Sequence, residues 1–510
     1  MKTPLLGRRS LPLFSLLALA GCGGAGFPDV EEPRWIGISV GAPRVKRVRD
    51  IGTRVPGKPG TPLVGESDGV ASPGEQLVIE GSAFGKSPTV TIGGVAAEVV
   101  ARTVGQGIVV RVPPAVPTGE QPVEVSVGEA RSSLPFQIRR LAVLLQKGVV
   151  NIMEVGEAPK RAGVAIPLRG AVAMTVSSDG ACAYVLAGRK VVVIDLGAAG
   201  GPKAITTRDL TIDAKLLVAS LHAQMLFAIG DTAIQPLETT DPRAPARYPE
   251  AALPEEARGV IRADVDPEAK RAALLVDADN RVVVIDVSKR DKARLVANVS
   301  LLPDARVPLA RDLRFAADGE TVWVVAGDNP ASMVSGTQPS RVAAVRLEAP
   351  EEGAGDPVVS LWRVAMVPAA MAPQRIQVAR GRAVSSGATI RLPPEKTTVR
   401  FSGVSRELLA KSPPAGGNTG AVEQADATGE GMRVSEGPIL VGPIDVTPDN
   451  KRVVMGALRS GAAGREYGVA TVRVDLPPSA TPPLSFTPIG AAVEADFAPP
   501  FVIGELRLQP

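Results

Sequence analysis

Residues 178–196, SDGACAYVLAGRKVVVIDL, decide the fold. Asp179-Gly180 suits the positive φ of a tight turn, and Ala183 to Ala187 is a short apolar segment. Gly188-Arg189-Lys190 interrupts it, and Val191 to Ile194 is an unbroken β-branched run. Such a run suits a strand covered on both faces. The pattern is turn, strand, turn, strand, and it returns along the chain.

Its second strand marks the copies. They begin at Val149 (VVNIMEV), Val191 (VVVIDL), Ala233 (AIQPL), Val282 (VVVIDV), Val342 (VAAVRL), Ala388 (ATIRL) and Val469 (VATVRVDL), at spacings of 42, 42, 49, 60, 46 and 81 residues. The shorter spacings match one four-stranded propeller blade, whereas sandwich strands return every ~8–12 residues without a longer beat. Turn-bearing segments precede the markers: SSDGACAYVLAG, DPEAKRAALLVDADN, AADGETVWVVAG and TPDNKRVVMGAL. These resemble YVTN-type bacterial β-propellers. The expectation is a seven-bladed β-propeller over 140–510, with Ala492 to Leu508 returning to complete a first blade that Leu141 to Leu168 cannot fill alone. That closure removes free sheet edges. The long intervals need inserted loops, near 327–341 and 403–437.

Upstream, Ser72 to Ile138 reads as short strands punctuated by Gly and Pro: Leu77 to Ile79, Val90 to Ile92, Ala97 to Val100, Ile108 to Val112 and Val123 to Val127. Pro73-Gly74, Ile79-Glu80-Gly81 with Phe84-Gly85, Ile92-Gly93-Gly94, Val112-Pro113 and Gly119 carry a resemblance to the TIG/IPT family. It implies an immunoglobulin-like β-sandwich over 71–139 that serves as spacer, adhesion module or binding platform. Gly81 to Ser87 imitates a phosphate-binding loop, but only three residues separate its glycines and a strand follows. The fold class is therefore all-β: sandwich, then propeller.

At the N-terminus, Lys2, Arg8 and Arg9 precede a ten-residue apolar run, Leu11 to Ala20, too short to span a bilayer. Leu19-Ala20-Gly21-Cys22 follows and resembles the lipobox of bacterial lipoproteins. That resemblance implies a signal peptide over 1–21 and lipid attachment at Cys22. Without an aspartate at Gly23, it implies the outer membrane. Several acyl chains at ~0.8 kcal/mol per buried methylene would anchor the chain permanently. Residues 22–70, rich in Gly, Pro and charge, read as the tether, with Arg44, Lys46, Arg47, Arg49 and Arg54 solvated within it or touching anionic headgroups or envelope polymers. Cys182, between alanines in an apolar strand, reads as a buried small hydrophobe.

Charge excludes a nucleic-acid partner: the formal +4 falls to +1 once Lys2, Arg8 and Arg9 leave with the leader. Only one histidine exists, His222, in a turn, and no Gly-x-Ser-x-Gly elbow accompanies it, so no catalytic constellation and no catalytic residue is assigned. Asp277-Ala278-Asp279-Asn280 resembles a calcium loop only locally and reads as turn chemistry. Asp195 and Asp286 end equivalent strands and read as structural hydrogen bonders. No metal site and no cofactor is assigned. The expected function is a lipid-anchored, non-catalytic binding, adhesion or scaffold module with a protein or envelope-polymer partner. Its rivals are a propeller hydrolase or lactonase with a carboxylate-bound metal in the channel, and an accessory lipoprotein of a secretion, adhesion or motility complex.

Overall fold

The structure, a computed structural model, describes residues 42–52 and 69–300 except 86, 104–106, 147, 157–158, 199–200, 221 and 277–280. Beyond 308 it describes 309–316, 319–327, 340–348, 358–367, 373–379, 382–389, 398–405, 439–447, 452–461, 464–473, 484–491 and 503–509. The lipobox residues Leu19, Ala20, Gly21 and Cys22, the cluster at 277–280, and most of the loops at 327–341 and 403–437 lie outside these residues.

Among the described residues, nine strands build the sandwich. One sheet runs β1 (Arg44–Gly52), β3 (Gln76–Ser82), β7 (Gly107–Arg111) and β6 (Glu98–Thr103). The other runs β2 (Val70–Ala71), β9 (Ala130–Ile138), β8 (Gly119–Val127), β4 (Thr89–Ile92) and β5 (Val95–Ala96). Leu77, Ile79, Ile108 and Val110 from one inner face meet Val90, Ile92, Val123 and Val125 from the other. Alternate residues of each strand supply them, as a two-sheet core requires.

Within the stretch expected as tether, 22–70, the described residues 44–52 depart from that expectation. Arg44–Gly52 is a strand, antiparallel to β3. Its register slips between Val45 and Arg47, a bulge at Lys46. The extra residue puts Val45 and Val48, three apart, on the core side, so the strand carries no period-two signature.

Among the described residues seven further sheets follow, and in each the first-named strand is innermost. Blade I is β38 (Ile503–Leu508), β10 (Leu141–Gln146), β11 (Val149–Glu154) and β12 (Lys160–Arg161), with β13 (Ile166–Pro167) also on β11. Blade II is β14 (Ala171–Val176), β15 (Cys182–Ala187), β16 (Lys190–Asp195) and β17 (Lys203–Asp209). Blade III is β18 (Ala214–Ala219), β19 (Met225–Gly230), β20 (Ala233–Glu238) and β21 (Ala246–Arg247), with β22 (Ala251–Ala252) also on β20. Blade IV is β23 (Val260–Val265), β24 (Arg271–Val276), β25 (Arg281–Asp286) and β26 (Arg294–Ser300). Blade V is β27 (Leu309–Phe315), β28 (Thr321–Gly327), β29 (Ser340–Glu348) and β30 (Val358–Val367). Blade VI shows three strands among the described residues, β31 (Pro373–Ala379), β32 (Arg382–Thr389) and β33 (Thr398–Ser405). Blade VII is β34 (Ile439–Val446), β35 (Arg452–Gly461), β36 (Gly464–Arg473) and β37 (Leu484–Ala491).

The innermost strands touch in the order β38, β14, β18, β23, β27, β31, β34, and β34 returns to β38, so the sheets close into a ring. The C-terminal β38 pairs with β10, which joins the two ends of the propeller in one sheet. The β-branched run of β16 is buried because each blade is packed on both sides. Val191 and Val193 join the cluster shared with blade III, and Ile194 joins the cluster shared with blade I. Cys182 and Tyr184 lie in the same blade II–III cluster. One marker is out of phase: Ala388 is the last residue but one of β32, the second strand of its blade, and the third strand is β33.

Candidate functional site

Charge accumulates at the axis. Asp264, Arg314, Asp445 and Arg507 occupy one equivalent position, the last residue but one of the inner strands of blades IV, V, VII and I. Each precedes an apolar residue, Val265, Phe315, Val446 or Leu508, while blades II and III carry Thr175 and Val218 instead. Alternation along the strand turns the apolar neighbours between blades and leaves the charged side chains on the other face.

The geometry repeats. Asp264 Oδ2 accepts the Phe315 N–H at 2.8 Å, and Asp445 Oδ2 accepts the Leu508 N–H at 2.8 Å. Each carboxylate thus fastens the inner strand of the next blade. Arg314 stands 3.6 Å from Asp312, and Arg507 stands 3.8 Å from Glu505. The side chain of Asp312 is 1% exposed, those of Arg314 and Arg507 12% and 19%.

Electrostatics extend across the axis, since blades I and V are not neighbours. Burial raises the pKa of Asp264, against the pull of Arg314 and the Phe315 N–H. Burial opposes the charge on Arg314, but Asp312, Asp264, Glu505 and Asp445 outweigh it and hold its pKa up. Arg507 is shifted down by burial and by Arg314 beside it, against Glu505 and Asp445. Four carboxylates stand against two guanidiniums, and the excess is eased at Asp264 and Asp445 by the backbone N–H groups they accept. A guanidinium cannot accept a proton at neutral pH, and the carboxylates are engaged with backbone N–H groups or arginines. The arrangement binds blades together or receives a charged group in the channel. Among the described residues no group of three or more His, Cys, Asp or Glu side chains is placed to hold a metal ion.

The other sequence candidates are dispersed. His222 is exposed in a bend between β18 and β19, its backbone N–H on Pro267 O at 2.9 Å. Asp195 accepts the Gly197 N–H at 3.1 Å and pairs with Arg243 at 2.7 Å, which ties blade II to blade III. Asp286 accepts from Ser288 N and Oγ at 2.9 and 2.6 Å. Burial works to raise its pKa, and the Ser288 bonds with Arg294 outweigh it and bring it down. Cys182 is buried with a free thiol whose pKa burial pushes up. The channel residues include no histidine, cysteine or metal-ligand spacing, and in the sequence they stand out only when the inner strands of the repeats are aligned.

The sandwich occupies one end of the ring, against the first-to-second-strand turn of blade II and the end of β38. Arg111 stands 3.4 Å from Asp179, and Gln509 Nε2 donates to Gly180 O at 2.7 Å. A Cβ on Gly74 would lie 2.6 Å from Ala181 N, so the two bodies touch there at backbone distance. Arg140, fully buried, donates to Pro114 O, Val116 O and Gln509 O at 2.9, 2.8 and 2.5 Å. At the opposite end lie the second-to-third-strand turns, including the gap between Gly327 and Ser340. A shallow groove there is lined by Gly148, Pro167, Arg169, Gly170, Ala171 and Val172. Val172 is 56% and nearby Val164 86% exposed.

Residues 64–139 match the family model of the IPT/TIG domain. No curated protein matches the chain. Among solved structures, the chain is similar to Kuenenia stuttgartiensis hydrazine synthase, with 12% identity, 60% of this chain and 77% of that chain covered, and a TM-score of 0.37. The Cps50 (Swd1) β-propeller domain of Myceliophteria thermophila has 12% identity, 62% and 89% coverage, and a TM-score of 0.39. A protein named as a 6-phosphogluconolactonase from Bacteroides uniformis has 12% identity, 68% and 99% coverage, and a TM-score of 0.39. At these TM-scores the overlaps are loose, and the propeller rests on its own strand ladder.

Proposed function

We propose that the protein is a lipid-anchored cell-envelope module that binds or scaffolds a protein or envelope polymer without catalysing a reaction. The observation that carries this reading is the polarity of the propeller. Its first-to-second-strand end is taken by the sandwich, while the other end keeps an open groove beside exposed valines. The described channel carboxylates are engaged by arginines or backbone N–H groups and are not set as a base beside a nucleophile. The Leu19-Ala20-Gly21-Cys22 sequence supports an anchor on Cys22, and Gly23 favours the outer membrane.

A photo-crosslinking residue in place of Val172 tests the reading in intact cells, with Asp241, exposed in the third-to-fourth-strand turn of blade III, as control. The expected outcome is a discrete adduct from Val172 in the membrane fraction, none from Asp241, and release of the protein from salt-washed membranes by Cys22→Ala. Equal labelling from both positions would remove the binding face, and retention of Cys22→Ala on salt-washed membranes would remove the anchor.

A further inference from the structure

β1 lies outside the residues that match the IPT/TIG model, and it forms an edge of its sheet. Because the Lys46 bulge turns Val45 and Val48 to the core, Arg44, Arg47 and Arg49 face outward, opposite Ser82, Glu80 and Val78. The Val45 N–H donates to Ser132 Oγ at 3.0 Å, which seats the bulged segment against β9. Glu80 is engaged by Arg49, whose Nε donates to it at 2.8 Å. Arg44, Lys46 and Arg47 are exposed, and no ion pair engages them among the described residues.

Position gives these cations a direction. On the neighbouring strands, Gln76 and Arg111 mark the end of the sheet that meets the propeller, where Arg111 faces Asp179. Arg44 pairs with Ser82, at the other end. The chain enters β1 at that same far end. Roughly 20 residues separate Cys22 from it, a reach of at most ~70 Å when fully extended. Tether and cations therefore converge on the end of the molecule farthest from the propeller.

We infer that Arg44, Lys46 and Arg47 form a docking edge for the anionic phospholipid headgroups of the leaflet that holds the protein. Each cation near such a surface adds attraction, and the effect falls off within a Debye length. Edge strands that carry charge also resist pairing with other chains, so the same residues protect the sheet. Docking would hold the sandwich against the membrane and point the groove-bearing end of the propeller outward. The inference deepens the anchored-module reading and uses the tether for its orientation, so its test is made without any acyl chain.

The leaderless chain, residues 22–510 with Cys22→Ser, keeps every described residue and is assayed by co-sedimentation with vesicles. The expected result is binding to phosphatidylcholine vesicles that contain phosphatidylglycerol, little binding to phosphatidylcholine alone, and loss of binding in high salt. The triple variant Arg44→Gln, Lys46→Gln, Arg47→Gln should bind on the order of 100-fold more weakly at an unchanged melting temperature. The control triple Lys160→Gln, Arg258→Gln, Lys292→Gln, also of exposed residues, should bind as the parent does. Equal binding to neutral vesicles, or a triple variant indistinguishable from the parent, overturns the inference. So does binding to lipopolysaccharide with none to phosphatidylglycerol vesicles, which would assign the edge to an envelope polymer. Failure of the anchor itself would appear in the Cys22→Ala fractionation and leave this result unchanged.

Discussion

At the turn after the inner strand in blades II to V, one residue adopts a left-handed backbone: Gly180 at φ 79°, Gln224 at 49°, Ala269 at 53° and Gly319 at 67°. Three of these turns close by the same bond, from the N–H of the left-handed residue to a carbonyl three residues back, Ser177, Asp266 or Ala316. Glycine takes this conformation freely, whereas other residues lose roughly 1–2 kcal/mol to the contact of Cβ with the following carbonyl. Gln224 is exposed, so Gln224→Gly relieves that strain and sacrifices only ~0.4–1 kcal/mol of denatured-chain entropy. A net gain of about 0.5–1 kcal/mol is expected, read as a higher urea midpoint at constant slope. Ala269→Gly should change little, because its methyl is buried in the blade III–IV cluster and is worth ~0.8 kcal/mol there. A destabilised Gln224→Gly would show that its side chain has a role beyond the turn.

Strand β1 is held by more than its ladder. Asp50, buried on β1, faces Glu75, which accepts from Ser72 Oγ at 2.7 Å and stands 3.6 Å from Arg139. Burial first, and Asp50 second, push the Glu75 pKa from 4.5 up to about 8, against Arg139 and Ser72. The folded chain keeps this proton where the unfolded chain has lost it, so unfolding releases a proton between those values. The contribution to stability is complete below pH 4.5 and is lost as pH rises through about 8. Glu75→Gln should flatten the fall in urea midpoint over that range and leave the variant more stable than the parent at its upper end, by on the order of a few kcal/mol. A parent whose stability is constant from pH 5 to 8 would contradict the assignment. Legibility follows from the same element. Strands that keep period two, or a continuous apolar run packed on both sides, are evident in the sequence, as β3, β7, β16 and β25 are. Strand β1 hides behind one bulged lysine, and β33 hides because ATIRL imitates a third strand while its Ala388 and Thr389 belong to a second. The channel charges are invisible one at a time, since Arg314 and Arg507 resemble any surface arginine until ring closure brings four inner strands together.

Two elements at opposite ends of the described chain make the molecule one body. β38 supplies the inner strand of the sheet whose other strands open the propeller, so the ring is completed only when the last residues arrive. Gln509, directly after it, accepts the Leu141 N–H on Oε1 at 2.8 Å and donates from Nε2 to Gly180 O. Arg140 joins the Gln509 carbonyl to Pro114 O and Val116 O of the sandwich. Blade I, blade II, the sandwich and the C-terminus therefore meet at two buried side chains. Gln509→Leu keeps the volume and orphans a buried N–H and a buried C=O, at a cost of about 1–3 kcal/mol for each unsatisfied group. Arg49→Gln removes a half-exposed pair with Glu80 and should cost no more than about 1 kcal/mol. Deleting 503–510 is more severe, because it exposes the edge of β10 and removes Glu505 and Arg507 from the channel together with the N–H that Asp445 accepts. The truncated chain should lose its cooperative melting transition and become sensitive to proteolysis throughout the blades, while Gln509→Leu melts cooperatively at lower temperature. A truncated chain that melted as sharply and as high as the parent would mean that blades II to VII hold the ring without closure, and that the axial charges are not its fastener.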